Sequence, residues 1–181
     1  YAPNLAESYT ASEDGLTYVF TMRDGLVWSD GTPLTAKDFE YSWKRAAAVE
    51  TAADYSYMFA GIDGYYAYDE EGNILLDEEG EAVRGEKDDL MATASEDGKT
   101  FTVQLTSPCA YFLDLAAFPV FFCVPEDSVV NAAGYMDETG AILDPGAWAL
   151  EAGFVSSGAY TLTEWKHNES MTYTKNPNFW D

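Results

Sequence analysis

The chain is short of positive charge: 9 Lys and Arg stand against 32 Asp and Glu in 181 residues, for a formal net charge of −23. A surface of that sign repels phosphate backbones and anionic headgroups, so nucleic-acid binding and docking on a membrane surface are set aside. Steering of a cationic ligand is compatible with it, but charge sign alone is a weak guide to partners. Long apolar runs are missing too. No stretch approaches the roughly 20 residues of a membrane span, and no basic segment followed by an apolar one marks a signal peptide. With YAPNLAES at one end and NPNFWD at the other, the sequence reads as a piece cut from a longer chain. Histidine occurs once, at His167, whereas zinc needs several His or Cys ligands. Cys109 and Cys123 lack CxxC spacing. They pair only if the fold brings them within reach, and two buried free thiols are the expectation. There is no GxSxG elbow and no GxxxxGK[ST] loop.

What is present suffices for a packed core: 47% hydrophobic and 15% aromatic residues. An internal echo stands out, SEDGLTYVFTM over 12–22 and SEDGKTFTVQL over 95–105. In each an Asp-Gly turn leads into alternating residues, with Leu16, Tyr18 and Phe20 on one face and Phe101, Val103 and Leu105 on the other strand's equivalent. The spacing predicts two strands that neighbour each other in one sheet. Thr35 with Asp38 three residues on forms a capping box opening a helix, whose inward face carries Phe39, Trp43 and Ala46 or Ala47. Lys44 and Arg45 fall near its C-terminal end, where cations complement the dipole.

Residues 53–68 read as a short helix and a loop rich in tyrosine and glycine. Residues 69–86 read as an acidic hairpin of two short apolar runs joined at a Glu-Glu-Gly turn. Ser107 and Pro108 predict the start of a helix running to Phe118. FPVFFCVP reads as a buried strand ended by Pro125, followed by a short helix over 126–133. DETGAILDPG predicts another hairpin, and Asp144 with Pro145 a further helix. The last segment predicts two strands about a turn at Lys166–Glu169.

Three strings in this order, DGLTYVFTMRDGLVWSDGTPLTAKDFEYSWKRA, FTVQLTSPCAYFLDLAAFPVFFCVP and SGAYTLTEWKHNESMTYTKNPNFWD, resemble the bacterial extracellular solute-binding proteins of family 5. Together they cover well over half of the chain. Where family members usually carry Asn or Thr before the glycine of the third string, this chain has Val155, Ser156 and Ser157. The resemblance implies an α+β fold with a mixed sheet and several short helices, part of lobe I of a two-lobe periplasmic-binding-protein type II architecture. Residues 1–181 then form one fragment domain, with about 152–181 returning towards the main lobe and 69–86 an acidic hairpin insertion.

The same resemblance implies the partners: a peptide ligand and an ABC permease with its ATPase, with no cofactor or metal. It implies a monomer at the outer face of the membrane or in the periplasm, held there by a lipid on a missing N-terminus. A sugar or a nickel chelate is the alternative ligand, and a secreted acidic carbohydrate-active enzyme or adhesion module the alternative class.

The chemistry-bearing groups divide along similar lines. Carboxylates at 69–71, 77–79 and 86–89 sit in polar loops, and a hydrolase needs two held close with split pKa values. The DEEGN, DEEGE and DETGA turns do not meet EF-hand spacing, and turn formation accounts for them. No residue is assigned a catalytic role, and His167 is expected to be exposed and inert. Tyr55, Tyr57, Tyr65, Tyr66 and Tyr68 cluster among glycines, as core aromatics with rim hydroxyls or as a ligand wall. The resemblance puts a ligand-facing tyrosine at Tyr55 or Tyr57. It also puts the Ser156–Ser157–Gly158 turn on the same concave surface.

Overall fold

In the computed structural model, which describes residues 4–181, the echoed sequences fold as read. The first three positions of the expected 1–181 domain lie outside the described residues. Strand β1 (Ala6–Ala11) turns into β2 (Thr17–Met22), while β3 (Ala92–Ala94) turns into β4 (Thr100–Gln104); the sheet order is β1-β2-β4-β3. Tyr18 faces Val103 and Phe20 faces Phe101 across the β2–β4 register, so the two apolar faces merge into one. The two Asp-Gly turns close alike, with the Ser12 and Ser95 hydroxyls accepting main-chain N–H groups across each loop. The α+β class agrees with expectation, but every pairing is antiparallel where a mixed sheet was expected. Five-residue hairpin turns leave β1–β2 and β3–β4 no parallel option.

Helix α1 (Ala36–Ala47) lies on that merged face. Its capping box is formed, with the Thr35 N–H donating to Asp38 Oδ2 at 2.7 Å and the Thr35 hydroxyl accepting from Lys37 N. Trp43 is the centre of the core at 3% exposure. Its indole stands edge-on to Phe101 at 4.9 Å and to Phe121 at 4.8 Å, and Nε1–H donates to the Phe121 carbonyl at 2.8 Å. Near-perpendicular rings put the positive edge of one on the negative face of the next.

The middle of the chain departs from the reading. Only Phe112–Leu115 forms α2, without a side-chain cap, in place of a helix from Ser107 to Phe118. Pro119 restricts Phe118 to an extended conformation and ends the turn early. FPVFFCVP is not a strand either: Pro119–Phe121 is a 3₁₀ turn and the following residues pair with no strand. Side chains of α1 take the place of a neighbouring ladder there. Trp43 holds the Phe121 carbonyl, and the Ser42 hydroxyl accepts from Val124 N at 2.8 Å. Phe121 and Cys123 point into the core, while Phe122 is 60% exposed. Helix α3 covers Glu126–Val130, and the expected helix after Asp144 is a 3₁₀ turn over Ala147–Ala149.

Residues 66–84 are a closed ring of three short extended segments rather than a hairpin ladder. The Ala67 N–H donates to Val83 O, Leu75 N–H to Ala67 O and Val83 N–H to Leu75 O, all at 2.8–2.9 Å. The segments are joined by two five-residue turns at Asp69 and Asp77, each closed by Oδ1 accepting two main-chain N–H groups. Asp137 builds a third copy in the DETGA loop. Each turn uses five residues of an eight-residue period, which leaves three per side and no room for a ladder. The C-terminal hairpin, β5 (Tyr160–Lys166) and β6 (Ser170–Lys175), forms as expected.

Candidate functional site

A cleft of about 980 Å³ opens between the outer flank of β1, the β2 and α1 side chains Phe20 and Phe39, the extended run after Phe121, Trp148 and the Phe154–Gly158 segment. Its wall is overwhelmingly aromatic and aliphatic. Glu7 is the one charged side chain lining it among the described residues, in a chain whose net charge is −23. Acidity is thus kept off this surface and concentrated elsewhere. A cleft of this size, apolar with a few polar groups, suits an organic ligand rather than an ion.

Its polar groups include Asn4, Ser8 and the Ser156–Ser157–Gly158 turn, all on the wall. Ser156 and Gly158 are held from outside. Ser29 N–H donates to Ser156 O at 2.9 Å, Ser156 N–H donates to Ser29 Oγ at 3.1 Å, and Asn176 Nδ2 donates to Gly158 O at 2.8 Å. The Cys123 thiol lines the same wall. Burial pushes that thiol up to about 12, with the nearby Asp38 carboxylate adding to the rise. Cys123 is therefore a protonated, inert filler of the wall. Cys109 is half-buried, and both cysteines are free.

Tyr55 and Tyr57 lie elsewhere. Tyr55 caps the 3₁₀ turn Ser56–Phe59 and Tyr57 lies within it; their rings are 6.1 Å apart, they are 56% and 61% exposed, and they do not line the cleft. The structure therefore brings the serine turn to the cleft without the two tyrosines. Tyr65 belongs to the core at 4% exposure, with the Arg84 guanidinium 3.6 Å over its ring. His167 is exposed and stacks on Trp165 at 4.3 Å.

Sequence reading missed Phe122, Trp148 and Phe154 as wall residues. Phe122 is expected in a strand interior and Trp148 on the helix after Asp144, while Phe154 lies in a stretch without periodicity. It also missed the Ser29 and Asn176 contacts, although both residues sit inside the strings WSDG and KNPNF that carried the resemblance.

The described part of the fold thus presents an open, mostly apolar cleft, with Glu7 its one charged lining residue, beside a hydrogen-bonded main-chain turn. The chain belongs to the bacterial extracellular solute-binding proteins, family 5, whose Middle-region model matches residues 1–181. It is similar to the dipeptide-binding protein DppE of Bacillus subtilis, 35% identical over 180 residues that cover 99% of this chain and 28% of that protein. It is also similar to the periplasmic oligopeptide-binding protein OppA of Salmonella typhimurium, 34% identical over 99% of this chain and 29% of that protein. Among solved structures, Listeria monocytogenes OppA bound to peptide superimposes with a TM-score of 0.75 at 30% identity, covering 99% of this chain and 31% of that one. The chain thus spans under a third of the length of the relatives it matches and corresponds to one lobe portion of their fold. These relatives are named as peptide-binding proteins.

Proposed function

We propose that this chain supplies part of the first lobe of a protein that captures peptides outside the membrane and delivers them to an ABC permease and its ATPase, without chemistry on the ligand. The observation that carries this reading is the nearly uncharged aromatic cleft with Ser156–Ser157–Gly158 on its wall, in a chain whose relatives are named peptide-binding proteins. A peptide suits such a wall because its main chain needs hydrogen-bond partners while its side chains need apolar area. Closure of a second lobe over the cleft would complete the contacts.

Residues from about 152 onward are read as the part returning towards the main lobe, and 69–86 as an acidic insertion. The intact protein is read as a monomer, lipid-anchored at the outer membrane face or free in the periplasm. Tyr55 and Tyr57 enter as a ligand contact on the resemblance alone. Tyr55→Ala or Tyr57→Ala in the full-length chain is expected to weaken peptide binding by about 1–3 kcal/mol with the fold intact.

Native mass spectrometry of the full-length protein purified from rich medium tests the whole reading. The expected result is a ladder of adduct masses matching short peptides, released on denaturation. A sugar mass, a nickel-chelate mass, or turnover of a glycoside would overturn it.

A further inference from the structure

The two most distinctive stretches of the sequence meet at Ser29, which bonds Ser156 and Asn178, 127 and 149 residues further along the chain. Its N–H donates to Ser156 O at 2.9 Å, its hydroxyl accepts from Ser156 N–H at 3.1 Å, and its carbonyl accepts from Asn178 Nδ2 at 3.1 Å. Asn176, 1% exposed, grips the other end. Its Nδ2 donates to Gly158 O and its N–H to Ala159 O at 2.9 Å, while its Oδ1 accepts from Asn178 N at 2.9 Å. Between these two clamps the Ser157 N–H, the Ser157 carbonyl and the Gly158 N–H have no partner among the described residues, and both residues line the cleft. Unpaired main-chain groups are a standing cost unless water or a ligand meets them.

We infer that Ser29 is a positioning residue for ligand binding. Its paired contact with Ser156 fixes the Ser157–Gly158 main chain, which carries those free groups, on the cleft wall. The inference rests on reading Ser156–Gly158 as a ligand wall. The geometry separates this role from a purely structural one. Ser29 is half-buried and outside the hydrophobic core, whereas Asn176 is sealed inside the fold. Removing the Ser29 hydroxyl deletes one of its two bonds to Ser156 and leaves the Ser156 N–H without a partner. The other bond, from the Ser29 main chain, stays. The segment would then be tethered at one point and free to rotate.

The test compares the wild-type full-length chain with S29A and S29T. Titration calorimetry uses the oligo-alanine series from two to six residues, and amide exchange is followed at Ser156. The expected result is a loss of about tenfold in affinity for S29A at an unchanged melting temperature. Ser156 N–H exchange should rise, and S29T, which keeps the hydroxyl, should restore both. Equal affinity and equal Ser156 exchange in S29A and wild type would overturn the positioning role. So would a loss of affinity that tracks a fall in melting temperature and is not restored by threonine. If wild type binds none of the series while S29A still frees the Ser156 amide, the peptide reading fails and takes the ligand role of Ser29 with it, although the contact itself stands.

Discussion

The sheet covered by α1 and the ring at 66–84 are built from opposite principles. In the first, Trp43, Phe59, Phe101 and Phe121 bury their rings against one another and the main chain follows. In the second, side chains contribute little packing: Ile74, Leu75 and Leu76 are 42%, 42% and 57% exposed. Hydrogen bonds among Ala67, Leu75 and Val83 and two aspartate-closed turns hold the chain instead. One region is stabilised by apolar area removed from water, which scales with every buried methylene. The other relies on local hydrogen bonds whose net worth is about 1 kcal/mol each. The cleft opens on the first region, while the second carries two of the aspartate-closed acidic turns. Apart from Glu7, the cleft wall carries none of the chain's charge among the described residues.

The largest expected difference is between core and ring truncations. Trp43→Ala should cost about 3–5 kcal/mol, because it removes a buried ring that four aromatic neighbours cannot refill and orphans the Phe121 carbonyl. Leu76→Ala in the ring should cost less than about 0.5 kcal/mol. Urea denaturation of both variants checks this. Similar costs would mean that the ring is cooperative with the core.

The joint between the two regions should be nearly as sensitive. Gly64 has φ +80°, and a Cβ there would stand 1.9 Å from the Asp89 carbonyl oxygen, while a Cβ at Gly85 would stand 2.2 Å from the Gly64 carbonyl oxygen. Here two strands of backbone cross too closely for any side chain. Gly72 and Gly80 also have positive φ, but nothing lies within 4 Å of their Cβ positions. Gly64→Ala should therefore destabilise by more than about 2 kcal/mol, from left-handed strain plus a backbone clash. Gly72→Ala should cost only about 1 kcal/mol, the strain alone. Thermal melts of the pair separate these contributions, and equal shifts would show that the crossing can relax.

The same contrast explains what could be read from the sequence. The echoed strands, the Thr35 capping box and the Trp43 face were legible because their signals are local and periodic. The Phe118–Pro125 run was misread, since a continuous apolar stretch does not reveal whether a ladder or a helix's side chains will satisfy its main chain. The Ser42 and Trp43 hydrogen bonds that decide this come from 80 residues away. The acidic turns were recognised as turns, but the closure of 67, 75 and 83 into a ring depends on three segments at once. At the candidate site the Ser156–Gly158 turn was picked out by resemblance, whereas Phe122, Trp148 and Phe154 reach the wall through tertiary packing that leaves no period in the sequence.

The smallest effect is expected in acid, and it should appear in the ring and the DETGA loop before the core. Main-chain N–H groups at Asn73 hold the Asp69 carboxyl below the usual range, and the Thr139 hydroxyl with neighbouring N–H groups does the same for Asp137. Because the folded values lie below the unfolded value of about 3.9, these bonds contribute fully above that pH and are lost as pH falls through the folded values. Both carboxyls are fully exposed, so the loss is local. Protonation also relieves the repulsion of a chain carrying −23, which supports the compact state at mildly acid pH. A global melting temperature would therefore mix two opposing terms. Residue-resolved amide exchange separates them: below about pH 4 the Glu71, Asn73, Thr139 and Ala141 amides should lose protection first, while the Trp43 Nε1–H stays protected. Simultaneous loss at both places would show that the turns and the core unfold as one unit and that the division drawn between them is wrong.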